Sequence, residues 1–206
     1  MRRLFPVPLL VLILTACGGG GSSPSASASV PPSSPPSESG TPSGSAGPSA
    51  SEAPIPSEDL GEFSCDFPIV QDATVPRANI TDVRVGEHAD YDRVVFEFEQ
   101  GLPEITLDRA SPPFTQDASG MPITVDGTSF LRLTMRGGTK QTDSGTSSYD
   151  GPTNFDPAFS TLVDLVEGGD FEAQSTWYFG LSTDACARVI QLDDENGARL
   201  VIDLEH

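Results

Sequence analysis

Glu87, His88, Asp90, Tyr91, Asp92 and Arg93 crowd carboxylates, a guanidinium and one of the chain's two histidines into one short stretch. An imidazole beside carboxylates is the usual material of general acid–base chemistry. Its ordinary pKa lies near neutrality, and a neighbouring acid can orient it. The stretch runs directly into an alternating segment, however, in which Val94, Phe96 and Phe98 are interleaved with Val95, Glu97 and Glu99. A period of two marks a half-buried strand. Polar residues at the start of such a strand cap and orient it, and Arg93 is expected to pair with a nearby carboxylate. A Ser-His-Asp triad would require His88 or His206 to meet a serine, and nothing in the sequence marks one.

Other motifs carry less. Asp143-Ser144-Gly145-Thr146 spells the tetrad of aspartic proteases, whose chemistry needs two aspartates sharing a proton, each on a turn fed by an apolar strand. Here Thr139-Lys140-Gln141-Thr142 precede it, all polar, and no second copy exists. Asp193-Asp194-Glu195-Asn196-Gly197 lacks the alternating ligands of a calcium loop and reads as a hairpin turn. No P-loop, nucleophile elbow or zinc-peptidase motif occurs. The sequence therefore predicts a protein that is not an enzyme and holds no cofactor or metal. The residues best suited to a ligand are aromatic and amide side chains. Tyr149, Asn154 and Phe155 lie in the long polar stretch from Gly137 to Asp156, and Trp177 and Tyr178 in an alternating run. All five can stack on, or hydrogen-bond, a sugar. The competing reading of the polar stretch is a disordered insertion.

The elements that must position these residues are mostly strands. Alternation recurs at Asp82–Val85, Ile105–Leu107, Leu131–Arg136 and Trp177–Leu181, and two further runs flank Asn196-Gly197 at the C-terminus. One segment, Asp156–Phe171, breaks the pattern. Pro157 suits a first helical turn, Gly168-Gly169 a helix end, and Leu162, Val163, Leu165 and Val166 one helical face. The expected fold is mainly β: an antiparallel β-sandwich or partly closed barrel with one short helix.

Residues 1–16 read as a lipoprotein signal peptide, with a basic Met1-Arg2-Arg3 and an apolar Leu4–Leu14 too short to span a bilayer. Leu14-Thr15-Ala16-Cys17 is a lipobox, which makes Cys17 the lipidated residue and membrane lipid its partner. Two acyl chains on Cys17 give stable anchoring at the extracytoplasmic face of the cell membrane. Residues 17–59 form a Ser/Pro/Gly/Ala-rich spacer with no apolar period, predicted to be disordered. As a coil of about 40 residues it spans roughly 35 Å. Residues 60–206 remain for one domain with its own core. Its two cysteines, Cys65 and Cys186, are an even pair in an oxidising compartment and are expected to form a disulfide.

After removal of Arg2 and Arg3 the chain carries nine basic residues against 30 acidic ones, a net charge near −21. Nucleic-acid binding needs Lys and Arg to displace counterions from phosphates, so this balance argues against it. Three pieces in order, "HADYDRVVFEFEQGLPEI", "YDGP" with the later "GDFEAQSTWYFGL", and "ARVIQLDDENGARLVIDLEH", resemble the AMIN-like domain of actinobacterial lipoproteins and exported proteins. The resemblance spans roughly residues 78 to 206. It implies a β-sandwich-like, non-catalytic module that associates with the cell envelope through peptidoglycan or a wall-associated partner. No amidase or other catalytic domain is expected to accompany it. The alternatives are an accessory lipoprotein that binds another exported protein, and an envelope hydrolase.

Overall fold

The structure, a computed structural model, describes residues 60–206. The predicted signal peptide, the lipidation site Cys17 and the spacer lie outside them. Each alternating run of the sequence is a strand, because a pleated chain sends successive side chains to opposite faces and buries every second one. In chain order the strands are β1 (Ile69–Gln71), β2 (Ala78–Glu87), β3 (Tyr91–Phe98), β4 (Glu104–Ala110), β5 (Phe114–Thr115), β6 (Pro122–Ile123) and β7 (Ser129–Arg136). They continue as β8 (Gly138–Thr139), β9 (Asn154–Phe155), β10 (Leu162–Phe171), β11 (Gln174–Leu181), β12 (Ala187–Asp194) and β13 (Gly197–Glu205).

Two sheets face each other. One has the order β1-β4-β7-β11-β10-β9, the other β12-β13-β3-β2-β8, and β5-β6 forms a separate hairpin. All neighbours are antiparallel except β2 and β8. The chain changes sheets between β7 and β8 at Gly137, whose φ is 83°. A Cβ there would stand 2.6 Å from the carbonyl oxygen of Pro76, so only glycine fits this crossing. The inner faces supply one continuous core. Val94, Phe96, Leu200, Ile202 and Leu204 come from one sheet, and Ile105, Leu107, Leu131, Leu133, Trp177, Phe179 and Leu165 from the other. Trp177 meets Phe96 edge-on across the sandwich, with ring centroids 5.4 Å apart. The predicted disulfide between Cys65 and Cys186 is present and joins the segment before β1 to the segment before β12.

The expected helix is absent: no helix occurs among the described residues. Residues Leu162–Phe171 are β10, paired with β9 on one side and β11 on the other. β11 pairs along the whole segment and β9 at Leu165 and Val166, and its Val163 and Val166 suit a strand better than a helix. Gly168 and Gly169 do not end a helix but form a bulge, marked by a register shift between Glu167 and Gly169. Gly169 has φ 147°, and a Cβ on Gly168 would lie 2.7 Å from the ring of Tyr178.

The β10–β11 turn explains why the hairpin was not legible. Its central residues, Glu172 and Ala173, have φ of 52° and 58°, the left-handed region that a two-residue hairpin turn requires. Neither residue favours that region, and each costs about 1–2 kcal/mol there. Replacing the pair by Asn-Gly (Glu172→Asn with Ala173→Gly) is expected to stabilise the domain by about 1–2 kcal/mol. Urea denaturation reads the change directly, and an unaltered midpoint would count against this turn geometry.

Candidate functional site

The opening cluster is built into the end of the sandwich. Asp92 is fully buried at the start of β3. One of its oxygens accepts hydrogen bonds from the backbone N–H groups of Thr161 and Leu162, both at 2.7 Å. The other lies 3.0 Å from the His206 ring. Asp92 thereby ties the start of β10 and the C-terminal residue to β3. His88 stacks on Tyr91, with centroids 4.6 Å apart. Arg93 pairs with Asp203, as expected, through two N–H donors at 2.7 and 2.9 Å. Arg188 reaches the same carboxylate from β12, at 2.6 Å. Its guanidinium lies 4.5 Å over the ring of Phe63 and 5.4 Å over that of Tyr91. The capping reading therefore describes this cluster. Among the described residues no serine hydroxyl lies within hydrogen-bond distance of the His206 ring.

The long polar stretch folds onto the other end. Ser148 donates to the carbonyl of Ile80 at 2.8 Å, and Gln141 bridges Ser147. Tyr149, proposed from the sequence as a ligand contact, belongs to the core instead. It is 6% exposed, and its hydroxyl donates to the Pro152 carbonyl at 2.6 Å. Burial, followed by the nearby acids Asp82, Glu167 and Asp150, pushes this phenol up to about 12. Trp177 is corrected in the same way. It is fully buried between the sheets, and its indole N–H is satisfied by Ser175 at 3.0 Å. Trp177 takes its strand's inward position, a face that one-dimensional alternation does not assign, and Tyr149 is carried into the core by the loop between β8 and β9. Phe155 is half-buried against the core, while Asn154 is exposed beside Val166. The aspartic-protease-like Asp143 is surface-exposed and pairs with Arg77 at 3.4 Å.

Tyr178 is the predicted residue that lands in a cleft. It alternates with Trp177 and faces outward from the six-stranded sheet. Across that outer face, Asp108, Arg132, Tyr178, Val166 and Asn154 stand in register. The segment from Ser111 to Gly127 folds over one end of the face as a flap. Phe114, Val125, Val166 and Tyr178 make a second, small core beneath it. Phe114 meets Tyr178 and Phe130 with centroids 4.7 and 5.0 Å apart. Two hydrogen bonds of 2.8 Å pin the flap: Asp117 N–H to the Gly168 carbonyl at the bulge, and Asp126 N–H to the Asp164 carboxylate. The Gly168-Gly169 bulge, where the sequence predicts a helix end, is thus the dock for the flap.

Asp164 gives this anchor a pH signature. Burial is the main cause that raises its carboxyl above the ordinary range, with Asp126 and Asp156 adding to it. A raised acid destabilises the folded state while charged, and the penalty is relieved as pH falls through the folded-state pKa. Asp164→Asn keeps an acceptor for the Asp126 N–H and removes the buried charge. The variant is expected to melt above the wild type at pH 7, with the gap closing as the solution is acidified toward the ordinary carboxyl range. A gap independent of pH, in thermal melts across that window, would refute this account.

At the mouth of the flap lies a cleft of about 330 Å³, lined by Arg109, Ser111, Phe114, Thr115, Arg132 and Tyr178 among others. Arg109 is engaged elsewhere, by Asp184, the Ala185 carbonyl and the ring of Phe67. Arg132 differs. It is exposed, and it is the one cation among the described residues with no carboxylate within 4.0 Å. Asp108, its register partner on β4, turns its carboxylate back to the Arg109 N–H at 2.8 Å. The Tyr178 hydroxyl makes no hydrogen bond within the described residues, and burial raises its pKa, so it stays a proton donor at neutral pH. A second cleft, of about 400 Å³, lies by Arg77, Thr139, Asp170 and Phe171. Its Arg77 is already matched by Asp143, and its Asp170 by the Thr139 hydroxyl and the Lys140 N–H.

The described domain is thus a two-sheet antiparallel module with a flap pinned over one end of its outer face and a cleft that holds Arg132 and Tyr178. The chain belongs to the AMIN-like domain family, whose model matches residues 78–206. No curated protein and no solved structure matches the chain significantly. Family membership points to a cell-envelope-associated module.

Proposed function

We propose that this protein is a lipid-anchored envelope lipoprotein whose AMIN-like domain is non-catalytic and binds peptidoglycan or a wall-associated partner. The observation that carries the reading is the AMIN-like match across residues 78–206. The lipobox at Cys17 and the Ser/Pro/Gly/Ala spacer support it from the sequence, because they supply an anchor and a reach of roughly 35 Å. The engagement of His206 with the buried Asp92 supports a structural rather than a catalytic use of that histidine. The net negative charge favours a wall ligand over a polyanionic nucleic acid.

The test is retention of the mature chain on purified, insoluble peptidoglycan. The chain is secreted from Gly18 onward without its lipid and compared with a folded protein of equal charge. Enrichment over that control is the expected result. Equal recovery of the two proteins would remove peptidoglycan as the ligand, and crosslinking in intact cells would then identify an exported partner.

A further inference from the structure

We propose that the cleft at the mouth of the flap is a carboxylate subsite, in which Arg132 holds one carboxylate of the wall ligand and the Tyr178 hydroxyl donates a second hydrogen bond to it. This inference rests on the wall-binding reading above and names the group that this face recognises.

In a chain with 30 acidic residues, a surface guanidinium finds a carboxylate partner with little difficulty, and the other cations of the described residues have done so. Arg132 has not, because its register partner Asp108 is turned onto the backbone. An exposed guanidinium left without a partner inside a cleft keeps its planar fork of donors for an incoming oxyanion. Beside it on β11 stands Tyr178, protonated and with its hydroxyl unused. The rings of Phe114 and Tyr178 pack on each other at the base of the cleft and leave its open surface mainly polar, as a charged group requires.

Charge also decides between oxyanions. Asp108 lies in register with Arg132, and Asp117 is close enough to Tyr178 to raise its pKa. One free guanidinium among such acids balances a single negative charge. A dianionic phosphate, and still more a polymer of phosphates, would leave uncompensated charge against them. A carboxylate on a peptide or sugar acid fits.

The experiment uses the lipid-free mature chain and follows the side-chain Nε–H signal of Arg132 and the backbone amide of Tyr178 by NMR. Three probes are titrated: acetyl-D-alanyl-D-alanine, its C-terminal amide and inorganic phosphate. The free carboxylate is expected to shift both signals, and the amide is not. Arg132→Gln is expected to weaken the carboxylate response on the order of 10- to 100-fold, as loss of a charge-assisted bidentate contact does. Arg132 is exposed, and an unchanged thermal melt of the variant verifies its fold. Equal shifts from the amide, a response undiminished in R132Q, or a larger response to phosphate would each overturn the proposal. Peptidoglycan retention that survives R132Q would overturn this subsite and leave the wall-binding reading intact. A carboxylate response in a chain that peptidoglycan does not retain would do the reverse.

Discussion

Asp203→Asn is expected to destabilise the domain by about 3–5 kcal/mol, the range found when one partner of a buried ion pair is removed. Asp203 is fully buried on β13 and stands between Arg188 on β12 and Arg93 on β3. Its two oxygens accept N–H donors from both guanidiniums, at 2.6 to 3.1 Å. An amide in its place offers one acceptor where two were used and no negative charge. Domains of this size have a total stability of about 5–15 kcal/mol, so the loss is a large share of what holds the fold. Urea denaturation measures it, and a shift below about 1 kcal/mol would mean that water screens the ladder as it does a surface pair. A second variant separates charge from shape. Replacing Asp203, Arg93 and Arg188 together by apolar residues of similar volume is expected to recover much of the loss, because no charge is then left behind.

Trp177→Ala is the second large effect, about 3–5 kcal/mol, as for other buried aromatic residues cut back to alanine. The ring is fully buried between the sheets, meets Phe96 edge-on, and donates its N–H to Ser175. Truncation opens a cavity that neighbouring strands cannot close, and it strands the Ser175 hydroxyl. This prediction also distinguishes core from site. Trp177 is the chain's single tryptophan, so its emission reports this position alone. A blue-shifted emission, poorly quenched by acrylamide and unchanged when wall fragments are added, is expected of a core residue. Emission that responded to the ligand would restore Trp177 to the binding surface and count against the core assignment.

The contrast between Trp177 and Tyr178 shows what a linear reading can and cannot carry. Both are aromatic, adjacent and on one strand, and the sequence proposed both as ligand contacts. Alternation says that they face opposite ways; it does not say which way is inward. Sheet pairing decides that, since Trp177 shares the inner face with Leu133 and Phe179, while Tyr178 stands in register with Arg132. The missed strand β10 has a related cause. Its bulge glycines imitate a helix end and its Glu172-Ala173 turn offers no hairpin signal, although β11 pairs with it along its length and β9 at Leu165 and Val166. Arg132 drew no notice because its significance is an absence of partners, which depends on where Asp108 turns.

By itself the sequence determined the β class, the disulfide between Cys65 and Cys186, the terminal hairpin, the pairing of Arg93 with a carboxylate and the family resemblance. These rest on local period, on turn chemistry and on residue counts, all of which survive in one dimension. Only the tertiary structure decided that the Asp92 and His206 cluster is a clasp, that Tyr149 and Trp177 are core, and that the flap leaves Arg132 unpaired in a cleft. Each of those turns on which strands lie side by side and which face of a sheet meets the other. Contacts between residues far apart in the chain set that choice, and no local pattern encodes it.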